Sequence, residues 1–140
     1  MKKISPFLEM VCSSNSSVNL KKFPSIKDKI NQLSNADADI IYTYLINGIE
    51  VVEFLSEEKD IFDRKNNVPT KVFTDGSYVW TMMIPHLVKN YKASLPKEFI
   101  SHIKNQSKYA NEYEKSNIDK ILDMLRKNKV DVYLTFDDDE

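Results

Sequence analysis

The sequence has few of the residues from which nucleotide, redox and disulfide sites are built. Of its 140 residues only two are glycines, Gly48 and Gly76, and they lie far apart. A G-x-G-x-x-G dinucleotide loop or a Walker A phosphate loop needs glycines close together, so neither is present. Cys12 is the only cysteine, which excludes an internal disulfide and a C-x-x-C pair. We therefore predict no cofactor.

Histidine is equally scarce, since His86 and His102 are the only two. Their spacing excludes the H-E-x-x-H zinc motif, and no metal site is predicted. A catalytic cysteine–histidine pair would need Cys12 within hydrogen-bond reach of an imidazole, which a sequence alone does not show. Because Cys12 follows apolar residues, we interpret it as a buried, inert thiol. A hydrolase that uses His86 or His102 stays open as a third class of function, but no catalytic residue is predicted.

A strong excess of one charge and a long apolar run are absent too. The 20 basic and 21 acidic residues leave a net charge of −1, which does not favour nucleic acid or a membrane as partner. The apolar start of the chain is interrupted by Ser5, Pro6 and Glu9, unlike a secretory signal, and no run approaches the ~20 residues of a membrane span. The prediction is a cytoplasmic protein.

The patterns that are present predict a single α+β domain over residues 1–140. Asp75-Gly76 between two β-prone runs predicts a hairpin over 71–80 with a two-residue type I′ turn. Residues 49–55 suit a strand, with a continued helix as the alternative, and residues 130–136 alternate as a strand does. Elements without regular β-α-β alternation favour a small, partly antiparallel sheet packed with several helices.

Helices are predicted from apolar spacing and from the residues at their ends. Pro24 is placed to open one helix, and Asn35 to cap the next, which would end at Gly48 in a left-handed conformation. Trp80 is expected in the core. Three more helices are predicted over residues 84–91, after Leu95-Pro96, and over residues 118–125.

Acidic residues are concentrated in two bands of the sequence. Residues 36–70 carry a net charge of −5, and residues 111–140 carry −4 and end in an acidic tail at 137–140. Such bands favour an acidic surface for a basic partner, with a solvated face and a frayed tail as the alternative. We expect residues 57–63 to lie in a connecting loop. The candidate partner-binding residues are Asp37, Asp39, Glu57, Glu58, Asp60, Phe62 and Asp63.

Residues 74–103 carry an ordered set of turn, aromatic and Leu-Pro positions. The set comprises Asp75-Gly76, Tyr78, Trp80, Tyr91, Leu95-Pro96 and Glu98-Phe99. This block, about a fifth of the chain, resembles a pattern in immunity proteins of bacterial contact-dependent growth-inhibition and polymorphic toxin systems. The resemblance implies a non-enzymatic protein that neutralises a cognate toxin, often a small basic nuclease.

Charge pattern and resemblance together predict stoichiometric blockade of a toxin's active site. Acidic residues between Glu57 and Asp63, with Asp37 and Asp39, would pair with Lys and Arg residues of the toxin. An aromatic residue such as Phe62 or Tyr42 would supply the buried anchor. The alternative is a non-enzymatic adaptor for another bacterial partner, for example in a secretion system.

Overall fold

Four strands form one mixed sheet in the computed structural model, which describes residues 2–7, 10, 23–105, 123 and 134–136. The strands are β1 (Lys2–Lys3), β2 (Ile49–Lys59), β3 (Asn67–Thr74) and β4 (Tyr78–Thr81). Their spatial order is β1-β4-β3-β2, with β1 parallel to β4 and the other pairs antiparallel. The predicted strand over 49–55 is confirmed and extends to Lys59.

Three α-helices complete the described fold: α1 (Asn35–Ile46), α2 (Met83–Tyr91) and α3 (Lys97–Asn105). The helices predicted over 84–91 and after Leu95-Pro96 are therefore confirmed, as is the α+β class. Pro85 lies in the first turns of α2, where its missing N–H removes no helical hydrogen bond.

β3 and β4 form the predicted hairpin, but its turn is not type I′. The Asp75 N–H lies 3.4 Å from the Tyr78 carbonyl, so Gly76 and Ser77 occupy the two central positions. Gly76 has a φ of 95°, whereas Ser77 is not among the described residues with positive φ, and a type I′ turn needs positive φ at both central positions. The Asp75 carboxylate accepts the N–H groups of Ser77 and Tyr78, both at 2.9 Å, and these bonds hold Asp75 at the first position of the turn.

α1 begins and ends differently from the prediction. Its cap is Ser34, whose hydroxyl accepts the Asp37 N–H at 3.1 Å, and Asn35 is the first helical residue. Asn47 follows the helix as C-cap, and its side-chain amide donates to the Thr43 carbonyl at 2.7 Å. Gly48 does not adopt the predicted left-handed conformation, since Gly76 is the described glycine with positive φ.

The helix predicted from Pro24 is reduced to a single 3₁₀ turn, Ile26–Asp28. The turn ends with Lys29 as its C-cap, and two residues later Asn31 has a φ of 59°. The Asn31 N–H donates to the Tyr91 carbonyl at 2.9 Å, which ties this segment to the end of α2. A tertiary hydrogen bond has therefore overridden a helical pattern that was locally acceptable.

Trp80 lies at the centre of the core, as predicted, with no exposed surface. Its indole N–H donates to the Leu45 carbonyl of α1 at 3.3 Å. Its ring centroid lies 6.4 Å from that of Tyr44 and 5.7 Å from that of Phe99. One β4 side chain therefore connects the sheet to α1 and α3.

Several predictions fall wholly or mostly outside the described residues: Cys12, the helix over 118–125 except residue 123, the strand over 130–136 except its last three residues, and the tail at 137–140. Leu134 is described and buried, and its N–H donates to the Lys3 carbonyl at 3.1 Å. This position therefore lies beside β1. Within the described ranges, no helix has the length and apolar character required to cross a bilayer.

Gly48 is required for close packing rather than for backbone conformation. A Cβ at this position would lie 2.8 Å from Cζ2 of Trp80 and 3.3 Å from both the Leu45 carbonyl oxygen and Cβ of Phe73. We expect Gly48→Ala to lower the free energy of unfolding by about 1–3 kcal/mol through overpacking. Urea unfolding followed by the emission of Trp80, the only tryptophan, measures this. Asn35→Ala is the control, and equal stability of the two variants would contradict the packing argument.

Candidate partner-binding surface

β2 is an edge strand whose exposed side chains are mostly acidic. Among the residues that the structure describes, β2 pairs with β3 on one side and with no strand on the other. The exposed glutamates of this strand are Glu50, Glu53, Glu57 and Glu58. Glu57 and Glu58 were predicted to lie in a loop, but both belong to the strand. The acidic band is therefore an ordered sheet edge.

The middle of β2 contains a bulge. Glu53 pairs with Lys71 and Glu57 with Pro69, so residues 54–56 lie opposite Thr70 alone. Pro69 has no N–H to donate to the ladder, which suits an irregular position in a sheet. Within the bulge, Leu55 has a relative exposure of 105%. The bulge therefore places one apolar side chain fully in solvent among acidic neighbours.

Glu58 lies in a polar groove of about 340 Å³. The groove is also lined by Lys3, Lys59 and Arg64. Burial raises the pKa of Glu58 and the charge of Lys3 opposes that rise, while burial lowers the pKa of Lys3 against the opposing effect of Glu58. The charge of Glu58 is therefore partly compensated by Lys3 within the protein.

Asp60 is not part of the acidic surface, contrary to the prediction. Its side chain is 1% exposed. Oδ1 accepts the N–H groups of Phe62 at 2.7 Å and Asp63 at 3.0 Å. Oδ2 lies 2.5 Å from Nε2 of His86 and accepts the Tyr91 hydroxyl at 2.9 Å. The carboxylate has a complete set of donors inside the protein and fixes the β2–β3 loop to α2.

These donors keep Asp60 ionised. Burial alone would raise the pKa of Asp60, but the hydrogen bonds from Asp63, His86, Phe62 and Tyr91 outweigh it and lower the pKa below its ordinary value. Burial and the bond to this carboxylate raise the pKa of Tyr91 to about 12. The pair is therefore a stable carboxylate with a stable neutral phenol.

Both ring nitrogens of His86 have partners. Nε2 contacts Asp60, and Nδ1 lies 3.2 Å from the side-chain amide nitrogen of Asn90, one turn later on α2. The same amide donates to the His86 carbonyl at 2.9 Å. This network assigns the proton to Nε2 and makes Nδ1 an acceptor. Both ring nitrogens therefore have partners within the fold, and His86 connects α2 to the Asp60 carboxylate.

A second aspartate, Asp75, repeats this arrangement at the hairpin turn. As described above, one carboxylate oxygen accepts two N–H groups of the turn. Oδ2 lies 2.7 Å from Nε2 of His102 and accepts the Tyr44 hydroxyl at 2.6 Å. The pKa of Tyr44 is raised by burial and by this bond. In both places an aspartate directly after a strand joins a turn to a helical histidine and a tyrosine.

The remaining predicted residues of the β2–β3 loop are only partly available to a partner. Phe62 is half-buried, and its ring centroid lies 4.7 Å from that of Tyr91, so it packs on the core and is not a free anchor. Asp63 is exposed, and its carboxylate accepts the Lys65 N–H and the Asn66 side-chain amide, both at 3.1 Å. The loop is held by its own hydrogen bonds.

The predicted acidic residues of α1 belong to a different part of the surface. Oδ1 of Asp37 lies 3.2 Å from Nζ of Lys104, which forms an ion pair between α1 and α3. Asp39 is exposed beside a groove of about 360 Å³ whose lining includes Lys89 and Lys92. Tyr42 lines this groove too, with Nζ of Lys89 5.1 Å from its ring centroid. This groove shares no lining residue with the groove at Glu58, and its charges are mixed.

Sequence reasoning missed the two aspartate–histidine–tyrosine sites. A local signal existed for Asp75, which directly follows a predicted strand and accepts N–H groups two and three positions later. For Asp60 this signal was hidden, because the strand predicted over 49–55 in fact extends to Lys59. The pairing of each aspartate with a particular histidine had no local signal, because the partners are 26 and 27 residues apart. It depends on how the helices pack.

Comparison with protein-family models, curated proteins and solved structures found no match to this chain. Within the described part of the chain, no group of three or more His, Cys, Asp or Glu residues is arranged to hold a metal ion.

Replacing Asp60 tests its role as a buried anchor. We expect Asp60→Asn to lower the free energy of unfolding by about 2–4 kcal/mol at pH 7, because it disrupts a buried, charged network. The pKa of Asp60 in the folded protein lies below its unfolded value of about 3.9. The stabilisation by the ionised carboxylate is therefore present above about pH 3.9 and is lost as the pH falls below it. The difference from wild type should shrink between pH 5 and pH 3 in urea titrations. The exposed Asp28→Asn is the control; a constant difference would refute the linkage.

Thr70, opposite the bulge, provides a test of local strain. Its hydroxyl is buried and has no hydrogen-bond partner among the residues that the structure describes. Thr70→Val replaces the hydroxyl with a methyl group of similar size, and we expect it to raise the free energy of unfolding by about 1 kcal/mol. Urea unfolding at pH 7 measures the change. A loss of stability would mean that the hydroxyl does form a stabilising bond.

Proposed function

We propose that this protein is a cytoplasmic immunity protein that neutralises a cognate bacterial toxin, a basic nuclease, by stoichiometric binding. The observation that carries the proposal is the row of exposed glutamates on the free edge of β2. A nuclease holds its substrate with Lys and Arg residues that contact phosphates. An ordered acidic edge offers those residues an alternative partner and excludes the substrate.

The contacts that hold β2 in place make it a rigid surface for binding the toxin. The strand pairs with β3 at both ends, and the buried Asp60 carboxylate fixes the loop that follows it. A rigid surface loses little conformational freedom on association. The contacts that we propose are Glu50, Glu53 and Glu57, with a smaller contribution from the compensated Glu58. Asp60 and Phe62 act as supports of the surface.

The arrangement of the histidines also supports a binding protein over a hydrolase. Nε2 of each histidine contacts a buried aspartate, and Nδ1 of His86 accepts from Asn90. Both histidine side chains are 20% exposed. Each histidine connects a helix to a turn of the sheet, and this is a structural role.

The test begins with co-purification of the tagged protein with the product of the adjacent upstream gene. Titration calorimetry at two salt concentrations then measures stoichiometry and affinity. A one-to-one complex that weakens with salt and inhibits the nuclease activity of that product is the expected result. A complex without inhibition would favour the adaptor alternative, and absence of a complex would refute the proposal.

Charge reversal on β2 should weaken this complex. We expect Glu57→Lys to raise Kd by about tenfold and to reduce its salt dependence, because an attractive contact becomes a repulsive one. The control is Asp28→Lys, the same charge change on the exposed 3₁₀ turn. Equal effects of the two variants would show that only net charge matters and would contradict a specific acidic edge.

A further inference from the structure

β2 is long for a strand at the edge of a sheet. The strand has 11 residues, and no described strand pairs with its outer side. An edge of this kind presents N–H and C=O groups that can pair with another chain. Proteins usually protect such edges by shortening them, by adding charge or by bulges. In β2, the charge and the bulge are present, and the length is retained.

The charges on β2 oppose pairing with a second copy of this chain. If two copies paired antiparallel about Leu55, Glu53 of one copy would face Glu57 of the other, in both directions. Like charges directly opposite each other destabilise a strand pair. Lys or Arg at the same positions of a different chain would stabilise it. The edge is therefore selective for a basic partner strand.

Leu55 gives this edge an apolar contact point. A single exposed leucine is common on protein surfaces. Leu55 differs because three β2 residues oppose one residue of β3, so the ladder itself is interrupted where the side chain enters solvent. At the same place the hydroxyl of Thr70 is buried, and no described residue bonds to it. The bulge costs stability within the isolated chain, and bulges frequently adjust a strand at a binding site.

We infer that a basic, extended segment of the partner adds to the outer edge of β2, with Leu55 inserted into an apolar pocket of that partner. This rests on the proposed function, since the partner is the toxin domain. The backbone groups of β2 supply hydrogen bonds, the glutamates select Lys and Arg, and Leu55 sets the register. This mode of recognition is strand addition to a sheet edge.

The test uses the full chain and the purified domain encoded upstream. We expect Leu55→Ala to raise Kd by at least about tenfold, as truncation of an anchor residue does. Thermal unfolding should be unchanged, since Leu55 is fully exposed and packs on nothing in the free protein. Ile40→Ala is the matched control, because Ile40 is an aliphatic residue 51% exposed on α1.

Amide hydrogen exchange provides a second readout that does not depend on a variant. Backbone amides of residues 50–59 should exchange more slowly in the complex, while those of α1 should not change.

If the complex forms but Leu55→Ala binds like wild type and the β2 amides are unaffected, strand addition is wrong and the proposed function stands. If the free protein is a dimer whose β2 amides are already protected, the edge belongs to a second copy and the inference is overturned. If no complex forms, the proposed function itself fails.

Discussion

Two buried carboxylates organise this structure. Asp60 and Asp75 are each 1% exposed at the side chain, and a polar group buried to that extent is tolerated only when hydrogen-bond partners surround it. Each has four donors: two turn N–H groups, a histidine and a tyrosine. The turns that bound β3 and the helices that carry the histidines must therefore assemble together. The Asp60 contacts hold the end of β2 in place and make this sheet edge rigid.

The same residue type has opposite uses in the two parts of the acidic band. Asp60 is buried and accepts hydrogen bonds from groups inside the protein, while Glu57, three residues earlier, is exposed on the strand edge. Glu58 lies between these cases, because Lys3 compensates part of its charge in a groove. Net charge along the sequence therefore overstates the surface available to a partner. The acidic edge that supports the proposed immunity function is smaller and more ordered than the band suggests.

Local patterns were reliable where the interactions that stabilise an element are close in sequence. The hairpin, α2 and α3 were predicted because turn residues and apolar spacing lie within a few positions of each other. Prediction was wrong where a distant group decided the outcome. The Asn31 N–H donates to the Tyr91 carbonyl, and no helix continues through this residue. Position 48 requires glycine because Trp80 packs against it. Neither contact has a signature near the residue concerned.

The α+β class, the hairpin and the central position of Trp80 could be read from the order of the amino acids, as could the scarcity of residues for nucleotide loops, disulfides and zinc motifs. Tertiary contacts were needed to establish which acidic residues are exposed, that both histidines contact aspartates, and that β2 is a bulged edge among the described strands with Leu55 in solvent. The physical reason is that burial, ion pairing and strand order arise from contacts between distant segments. Composition and periodicity report on the chain's local preferences, and a functional surface depends on which of its groups remain exposed after those contacts form.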